Sequence, residues 1–327
     1  LANANGVAQT SFTFQLRDNG GTGNGGVNLD PTPRTMAFNV TAVNDPPVGT
    51  NKTVTVLEDA VYTFVVNDFG FTDPNDTPQN QFANVQITSL PLAGSLKLSG
   101  AAVAVNQFIP AASVGSGALT FTPVANASGA NYASFGFRVQ DDGGTANGGV
   151  NLDTGTRTMT VNVTSVNDAP GGTSKTVTAL EDVPFVFTVA DFGLTDSSDS
   201  PANGLAGVRI TSLPAAGNLQ LDGVPVLAGD IVPVLSISDG KLTFTSASNS
   251  FGTNYASFLF QVRDDGGTAN AGIDLDPTAD TMTVNVSSVN DAPAGADNTV
   301  TLAEDGFYIF SASDFGFSDP NDSPANS

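Results

Sequence analysis

The sequence predicts an all-β protein built of tandem β-sandwich domains, one every 123 residues. The first observation behind this is a period. Val43-Asn44-Asp45-Pro46-Pro47 returns as Val166-Asn167-Asp168-Ala169-Pro170 and as Val289-Asn290-Asp291-Ala292-Pro293, at the same step both times. Glu58, Glu181 and Glu304 keep that step, as do Asp68, Asp191 and Asp314, and Phe14, Phe137 and Phe260. Such a period is too long for a helical or leucine-rich solenoid unit and matches one whole domain. The second observation is composition. There are 22 Phe, 35 Gly and no Trp, with abundant Thr, Asn and Val and few helix-forming Lys and Glu. The third is a run of short alternating segments divided by turn signals, the pattern of a sandwich.

The connector divides the chain. Its proline removes a donor and fixes φ, which suits a short stiff link and not a strand interior. Residues 1–43 read as the end of one repeat, 44–166 and 167–289 as complete repeats, and 290–327 as the start of another. The two end pieces are together too short to complete one unit. The chain starts at Leu1 with no charged-then-apolar leader, so no signal peptide is visible and the chain reads as a window on a longer series of domains.

Within residues 44–166, Thr53 to Leu57 alternates as a half-buried strand, and Glu58-Asp59 ends it. Val61 to Val66 is a second strand. A polar loop follows, Asp68-Phe69-Gly70-Phe71-Thr72-Asp73-Pro74-Asn75-Asp76. Val85 to Leu90 is a third strand. Ser95 to Leu98 turns at Ser99-Gly100 into Val103 to Val105, a hairpin. Leu119 to Thr122 comes next, then the longest strand, Tyr132 to Gln140. A loop rich in Gly and Asn spans 141–156, and Thr158 to Val163 closes the unit. Seven or eight strands are expected per repeat.

Net charge is −22, from 32 acids against 10 bases. Nucleic acid is a poor partner for such a chain, since phosphate binding needs clustered Lys and Arg. No apolar run approaches a membrane span. There is no Cys, so no disulfide, and no His, which removes the commonest transition-metal ligand and general base. Zinc and copper are excluded as expected metals.

Strand direction gathers the acids. With the chain entering at the top of a repeat, Glu58 falls at the bottom, and Asp68, Asp73, Asp76, Asp141 and Asp142 fall at the top. At the junction of the two complete repeats this collects Glu58, Asn167, Asp168, Asp191, Asp196, Asp199, Asp264 and Asp265. The next junction repeats the pattern with Glu181, Asn290, Asp291, Asp314, Asp319 and Asp322. Two carboxylates about 4 Å apart repel by about 4 kcal/mol at an effective dielectric near 20. A site of about six or seven oxygens suits Ca²⁺. The alternative is that Asp and Asn are simply good loop residues. Asn75 becomes Ser198, which argues against an essential ligand there.

The connector resembles the Asp-x-Asn-Asp-x-Ala-Pro linker of cadherins. Val139-Gln140-Asp141-Asp142-Gly143 is similar to their Ala-x-Asp-x-Gly strand end, Glu58 to the glutamate near their first strand, and Asp73-Pro74-Asn75-Asp76 to their Asp-x-Asp loop. The Leu-Asp-Arg-Glu motif of true cadherins is missing. The closer likeness is to the cadherin-like, Ig-like tandem repeats of giant bacterial adhesins secreted by type I systems, which are also acidic and Cys-free. The resemblance covers the whole chain. It implies calcium at these positions and an extracellular, secreted or cell-surface bacterial protein, a biofilm or adhesion stalk whose repeats extend and stiffen in calcium.

Gly20-Gly21-Thr22-Gly23-Asn24-Gly25-Gly26-Val27-Asn28 looks like the glycine-rich calcium nonapeptide of toxin repeats. It occurs once per repeat, with Gly25 at its sixth position and Ala146 breaking the next copy, whereas a β-helix needs stacked copies. It reads as a long hairpin loop ordered by Asn151 and Asp153. Triplets such as Asn39-Val40-Thr41 and Asn126-Ala127-Ser128 are expected by chance in so Asn- and Thr-rich a chain.

An enzyme is not expected, for there is no nucleophile elbow or phosphate loop, and acids recurring at every turn are not a catalytic pair. A carbohydrate-binding array is disfavoured by the lack of Trp and the 4 Tyr. The reading that joins repetition, charge and missing chemistry is a calcium-stiffened stalk, with a self-assembling filament or matrix fibre as its alternative. The expected partners are neighbouring repeats of the same chain and other copies in a fibre.

Overall fold

The computed structural model describes residues 3–319, 321 and 322. Contacts divide the chain into two units, Leu1–Ser165 and Val166–Ser327. In the first unit, β1 (Gly6–Phe14) and β2 (Arg34–Val40) form an antiparallel pair. The nine strands that follow are β3 (Lys52–Leu57), β4 (Tyr62–Thr63), β5 (Phe82–Ser89), β6 (Ser95–Leu98), β7 (Ala101–Ala102), β8 (Phe108–Pro110), β9 (Leu119–Thr122), β10 (Gly129–Asp141) and β11 (Arg157–Thr164). They make two sheets, ordered β3-β11-β10-β5-β8 and β4-β9-β6-β7. Only β3 and β11 run parallel, with Thr53 opposite Thr160 and Val56 opposite Val163.

Alternation decides which faces meet. Val54 and Val56 of β3, Phe135, Phe137 and Val139 of β10, and Met159, Val161 and Val163 of β11 all point inward and are buried. Facing them are Phe64, Leu96, Leu119 and Phe121. Phe64 stands edge-on to Phe135 at 5.5 Å between centroids, and Phe69 edge-on to Phe137 at 5.0 Å. Burying each such ring stabilises the sandwich by about 1.5–3 kcal/mol, and the edge-to-face geometry adds a little more. Gly94 has φ +73, and a Cβ there would lie 2.5 Å from the Phe121 ring, so this turn needs glycine.

The second unit repeats the design. Its strands are β12 (Lys175–Leu180), β13 (Phe185–Val186), β14 (Leu205–Ile210), β15 (Asn218–Leu221), β16 (Val224–Pro225), β17 (Ile231–Pro233), β18 (Leu242–Thr245), β19 (Gly252–Asp264) and β20 (Asp280–Ser287). The sheets are β12-β20-β19-β14-β17 and β13-β18-β15-β16. Phe187 meets Phe258 at 5.6 Å and Phe192 meets Phe260 at 5.0 Å.

Several elements differ from the sequence expectation. The strand expected over 61–66 stops at Thr63, because Asp68 turns the chain into a 3-10 segment at Val66–Phe69. The hairpin after Leu98 returns at once as Ala101–Ala102, not at Val103. The edge strand β8 and the one-turn helix α1 (Ala111–Gly115) carry too little alternation to be read in advance. Five- and four-stranded sheets therefore replace the expected seven or eight strands. The triplet asparagine Asn39 also has a structural role. Its Oδ1 accepts the Ala8 N–H at a bulge in β1, as Asn162 accepts Asn131 N–H and Asn285 accepts Asn254 N–H. No helix of the described residues is long and apolar enough to cross a membrane.

Candidate metal centre

Each complete repeat gathers acids and amides where the chain enters it. The long strand β10 ends at Asp141, the loop after the 3-10 turn supplies Asp73 and Asp76, and the connector brings Asn44 and Asp45 between them. Asn44 Nδ2 donates to both Asp141 oxygens at 3.2 Å and to the Val150 carbonyl at 2.7 Å. The Asp45 N–H points at the Asp76 carboxylate, 3.1 Å from Oδ2. Asn80 donates its N–H to Asp73 Oδ2 at 3.1 Å, and its amide hydrogen-bonds Asn44 Oδ1. A Cβ at Gly143 would fall on that Asn44 oxygen, so glycine lets strand end and connector close together.

The second repeat reproduces this. Asn167 donates to Asp264 at 3.1 and 3.2 Å and to the Ile273 carbonyl at 2.7 Å. The Asp168 N–H lies 3.0 Å from Asp199 Oδ2, and the Asn203 N–H lies 2.6 Å from Asp196 Oδ2. At the far end of the same repeat, Glu181 continues the ladder, its N–H bonding the Ser287 carbonyl at 3.0 Å. Its Oε1 accepts the Val289 N–H at 2.7 Å, and the Asp291 N–H reaches Asp322 Oδ1 at 2.8 Å. Glu181, Asp319 and Asp322 are buried, at 1%, 7% and 8% exposure. Glu58 is placed likewise at the end of β3, where its N–H bonds the Thr164 carbonyl and its Oε1 accepts from Ser165.

The electrostatics are those of crowded anions. Burial, then the charges of Asp76 and Asp141, raise the Asp73 pKa above the usual carboxylate range. Burial raises Asp141 and Asp264 against the hydrogen bonds they accept. Asp199 is pushed up to about 6 by burial and by Asp196 and Asp168, despite the Asp168 N–H that favours its charge. Burial and the charges of Glu181, Asp322 and Asp182 raise Asp291.

Buried carboxylate oxygens with no hydrogen-bond partner recur here: Asp73 Oδ1, its equivalent Asp196 Oδ1, Glu181 Oε2 and Asp291 Oδ2. An orphaned buried acceptor costs about 1–3 kcal/mol, more when charged, so the matched pair Asp73 and Asp196, with Glu181 and Asp291 beside the next connector, fits a hard cation. The donor set is all oxygen, from carboxylate and amide groups, which suits Ca²⁺ and not softer metals.

Not every sequence candidate joins these groups. Asp68 lies beyond the 3-10 turn and accepts from Lys52 Nζ at 2.7 Å, Tyr62 Oη at 3.2 Å and Val65 N–H at 2.9 Å. Asp191 does the same with Lys175 at 2.7 Å and with both Thr188 groups at 2.8 Å. Its pKa is lowered because the Lys175 and Thr188 hydrogen bonds outweigh burial. Asp314 accepts from Tyr308 Oη and from Ser311. These three close a turn instead of pointing at the acid groups. Asp142 and Asp265 are exposed and latch the loop, accepting the Gln81 and Gly204 N–H at 2.7 Å. Asn290, by contrast, stays beside its group, its Nδ2 donating to the carbonyl of Asp291 at 3.0 Å.

Sequence reading missed Asn80 and Asn203, which sit in dissimilar surroundings (Gln79 and Gln81 around one, Ala202 and Gly204 around the other) with only their period to mark them. It also left Asn44 and Asp45 out of the candidate set, although they match Asn167 and Asp168. Asp153, expected to order the glycine-rich loop, is buried at 1% and accepts from Gly49 N–H at 2.8 Å and from Arg157.

Together these features define a protein of tandem β-sandwich repeats whose ends are lined with buried carboxylate oxygens. No family model matches the chain, and no curated protein matches it. Among solved structures, mouse protocadherin-24 EC1-3 is similar at 12% identity and TM-score 0.49, over 85% of this chain and 79% of that one. Drosophila N-cadherin EC1-4 gives 13% identity and TM-score 0.39 over 76% of this chain and 50% of that one. The human desmocollin-1 ectodomain gives 11% and 0.36 over 87% and 49%. The chain thus spans about half the length of the latter two structures. These likenesses carry no argument about function, and the sandwich assignment rests on the chain's own sheets.

Proposed function

We propose that this chain is the repeat region of an extracellular bacterial surface adhesin, a non-catalytic stalk whose domains 44–166 and 167–289 are stiffened by Ca²⁺ at their joints. The observation that carries it is the recurrence of orphaned, buried carboxylate oxygens at Asp73, Asp196, Glu181 and Asp291. Within the second unit the ligands are Glu181, Asp291, Asp319 and Asp322, with Asn290 supplied by the connector. By the period of the chain, Asn167, Asp168, Asp196, Asp199 and Asp264 are proposed for the end at which the connector enters the second repeat. When bound, the ion neutralises the acids and ties connector to domain. The protein's own residues supply the frame: Asn44 and Asn167 fix the strand end, and backbone N–H groups of Asp45 and Asp168 orient Asp76 and Asp199.

Extracellular modules bind calcium with Kd of about 10⁻⁴–10⁻³ M. Such sites fill outside a cell and empty within it, so an acidic chain stays loose until export. The test is a calcium titration of the whole chain by calorimetry, with scattering in calcium and in chelator. A millimolar or tighter isotherm with a longer particle in calcium supports the stalk. Absence of binding, with identical scattering curves, leaves the acids as solvated loops and overturns the reading.

A further inference from the structure

The glycine-rich loop is not used by the cation sites, yet its chemistry differs between its copies. We propose that Asn147 and Asn24 are sites of spontaneous deamidation through a cyclic imide, and that the second complete repeat is protected from it. In the three copies the loop places Asn24, Asn147 and Asn270 in one left-handed conformation, with φ 57, 56 and 56. All three side chains are exposed. The next residue is Gly25, Gly148 and Ala271 respectively. The glycines have φ +83 and +84 and face open space, with nothing within 4 Å of a Cβ position. Ala271 holds φ 70 with a methyl group beside the reacting nitrogen.

The step is an internal displacement. The Gly148 backbone nitrogen loses its proton to solvent base and attacks Asn147 Cγ. The new C–N bond closes a five-membered ring, the Cγ–Nδ2 bond breaks, and Nδ2 leaves as ammonia. Water then opens the imide at either carbonyl, leaving aspartate or isoaspartate. Glycine matters because no Cβ obstructs the approach of its nitrogen. Amide loss of this kind is the reason Asn counts as thermolabile.

Other Asn-Gly pairs are held by the fold: in Asn5-Gly6 the glycine pairs with Val40 at the end of the β1–β2 ladder. The Gly204 nitrogen already donates to Asp265 Oδ1 at 2.7 Å, and Asn203 is fixed on Asp196 and Asn167. The Gly20 nitrogen donates to Asp18 Oδ1 at 2.8 Å. The loop is also where the modification has an effect. Val150 N–H and carbonyl both bond Asn44, at 2.9 and 2.7 Å. An isoaspartate at 147 lengthens the backbone three residues from that grip and adds a negative charge to an anionic end.

The experiment ages the full chain, folded, in mildly alkaline buffer and maps the one-dalton gain and isoaspartate by peptide mass spectrometry. The expected result is gain at Asn24 and Asn147 several-fold faster than at Asn203 and Asn270, with Asn203 catching up only in urea. Ala271→Gly, which relaxes a strained backbone, should bring Asn270 to the rate of Asn147, and Gly148→Ala should stop Asn147. Equal rates at Asn147 and Asn270 in the folded chain, or an inert Asn270 in Ala271→Gly, overturn the proposal.

Discussion

The Arg157 guanidinium grips the buried Asp153 carboxylate through Nε at 2.9 Å and Nη2 at 3.1 Å. The next repeat has Asp280 where Arg157 stands, and there Arg263 pairs with Asp274 at 2.7 Å instead. Arg157→Ala is expected to destabilise the first complete repeat by about 2 kcal/mol, as loss of hydrogen bonds to a charged group does. The Asp153 pKa is lowered, since the bonds from Arg157, Gly49 and Gly155 together outweigh burial. Its stabilisation is therefore full above the unfolded carboxylate value of about 3.9 and is lost as pH falls through the lower folded value. Urea melts of wild type and Arg157→Ala between neutral and acid pH should converge at the acid end.

Asp68 and Asp73 lie five residues apart in one loop and are expected to fail differently. Asp68→Ala removes the acceptor for Lys52, Tyr62 and the Val65 N–H. It should cost about 1–2 kcal/mol, in the range of a lost cap, and leave the calcium midpoint of the chain unchanged. Asp73→Ala removes an orphaned oxygen. It should weaken calcium binding with little loss, or a gain, of stability in chelator. Calorimetry and thermal melts of both variants decide this, and a calcium midpoint shifted equally by both would refute the division.

Calcium should stabilise by mass action. At about one hundred times Kd the gain is about 2.7 kcal/mol per site that only the folded state forms. Melting temperature should rise with calcium and fall on chelation. Glu181→Gln should abolish part of that rise, because Glu181 Oε2 is buried with no partner of its own. A melting curve indifferent to chelator would remove the energetic case for the ion.

Proton and cation should compete at the second repeat. Asp199 has its pKa raised to about 6. In chelator its contribution to stability is fully present below the unfolded value of about 3.9 and is lost as pH rises through about 6. The cation-free protein should thus weaken between roughly pH 4 and 6, and calcium should cancel that loss. Calcium affinity itself should drop below pH 6, with proton release on binding measurable in buffers of different ionisation enthalpy. Asp199→Asn should flatten both dependences.

Much of this was legible along the chain. The period marked where connectors are expected, and the alternation of Thr53 to Leu57 and of Tyr132 to Gln140 showed which side chains face inward. Both signals are one-dimensional, since side chains along a strand change sides every residue. Strand parity put Asp68, Asp73, Asp76, Asp141 and Asp142 alike at the end where Asn44 enters, and of these Asp68 and Asp142 turn to Lys52 and to the Gln81 N–H. The short strands β7 and β8 and the helix α1 were not legible, because two to five residues hold no period.

The sequence by itself determined the all-β class, the repeat and the residue types from which an oxygen site can be made. Only the tertiary structure decided which acids share one. Asp68 and Asp73 are indistinguishable as loop aspartates, but the 3-10 turn at Val66–Phe69 carries the first toward Lys52, sixteen residues upstream. The second stays with Asn80, Asp76 and Asp141. Asn80 in turn earns its place only when Asn44 arrives on it from the connector. A carboxylate's role depends on which charges and donors lie within a few ångströms, and those neighbours come from distant strands that only folding brings together.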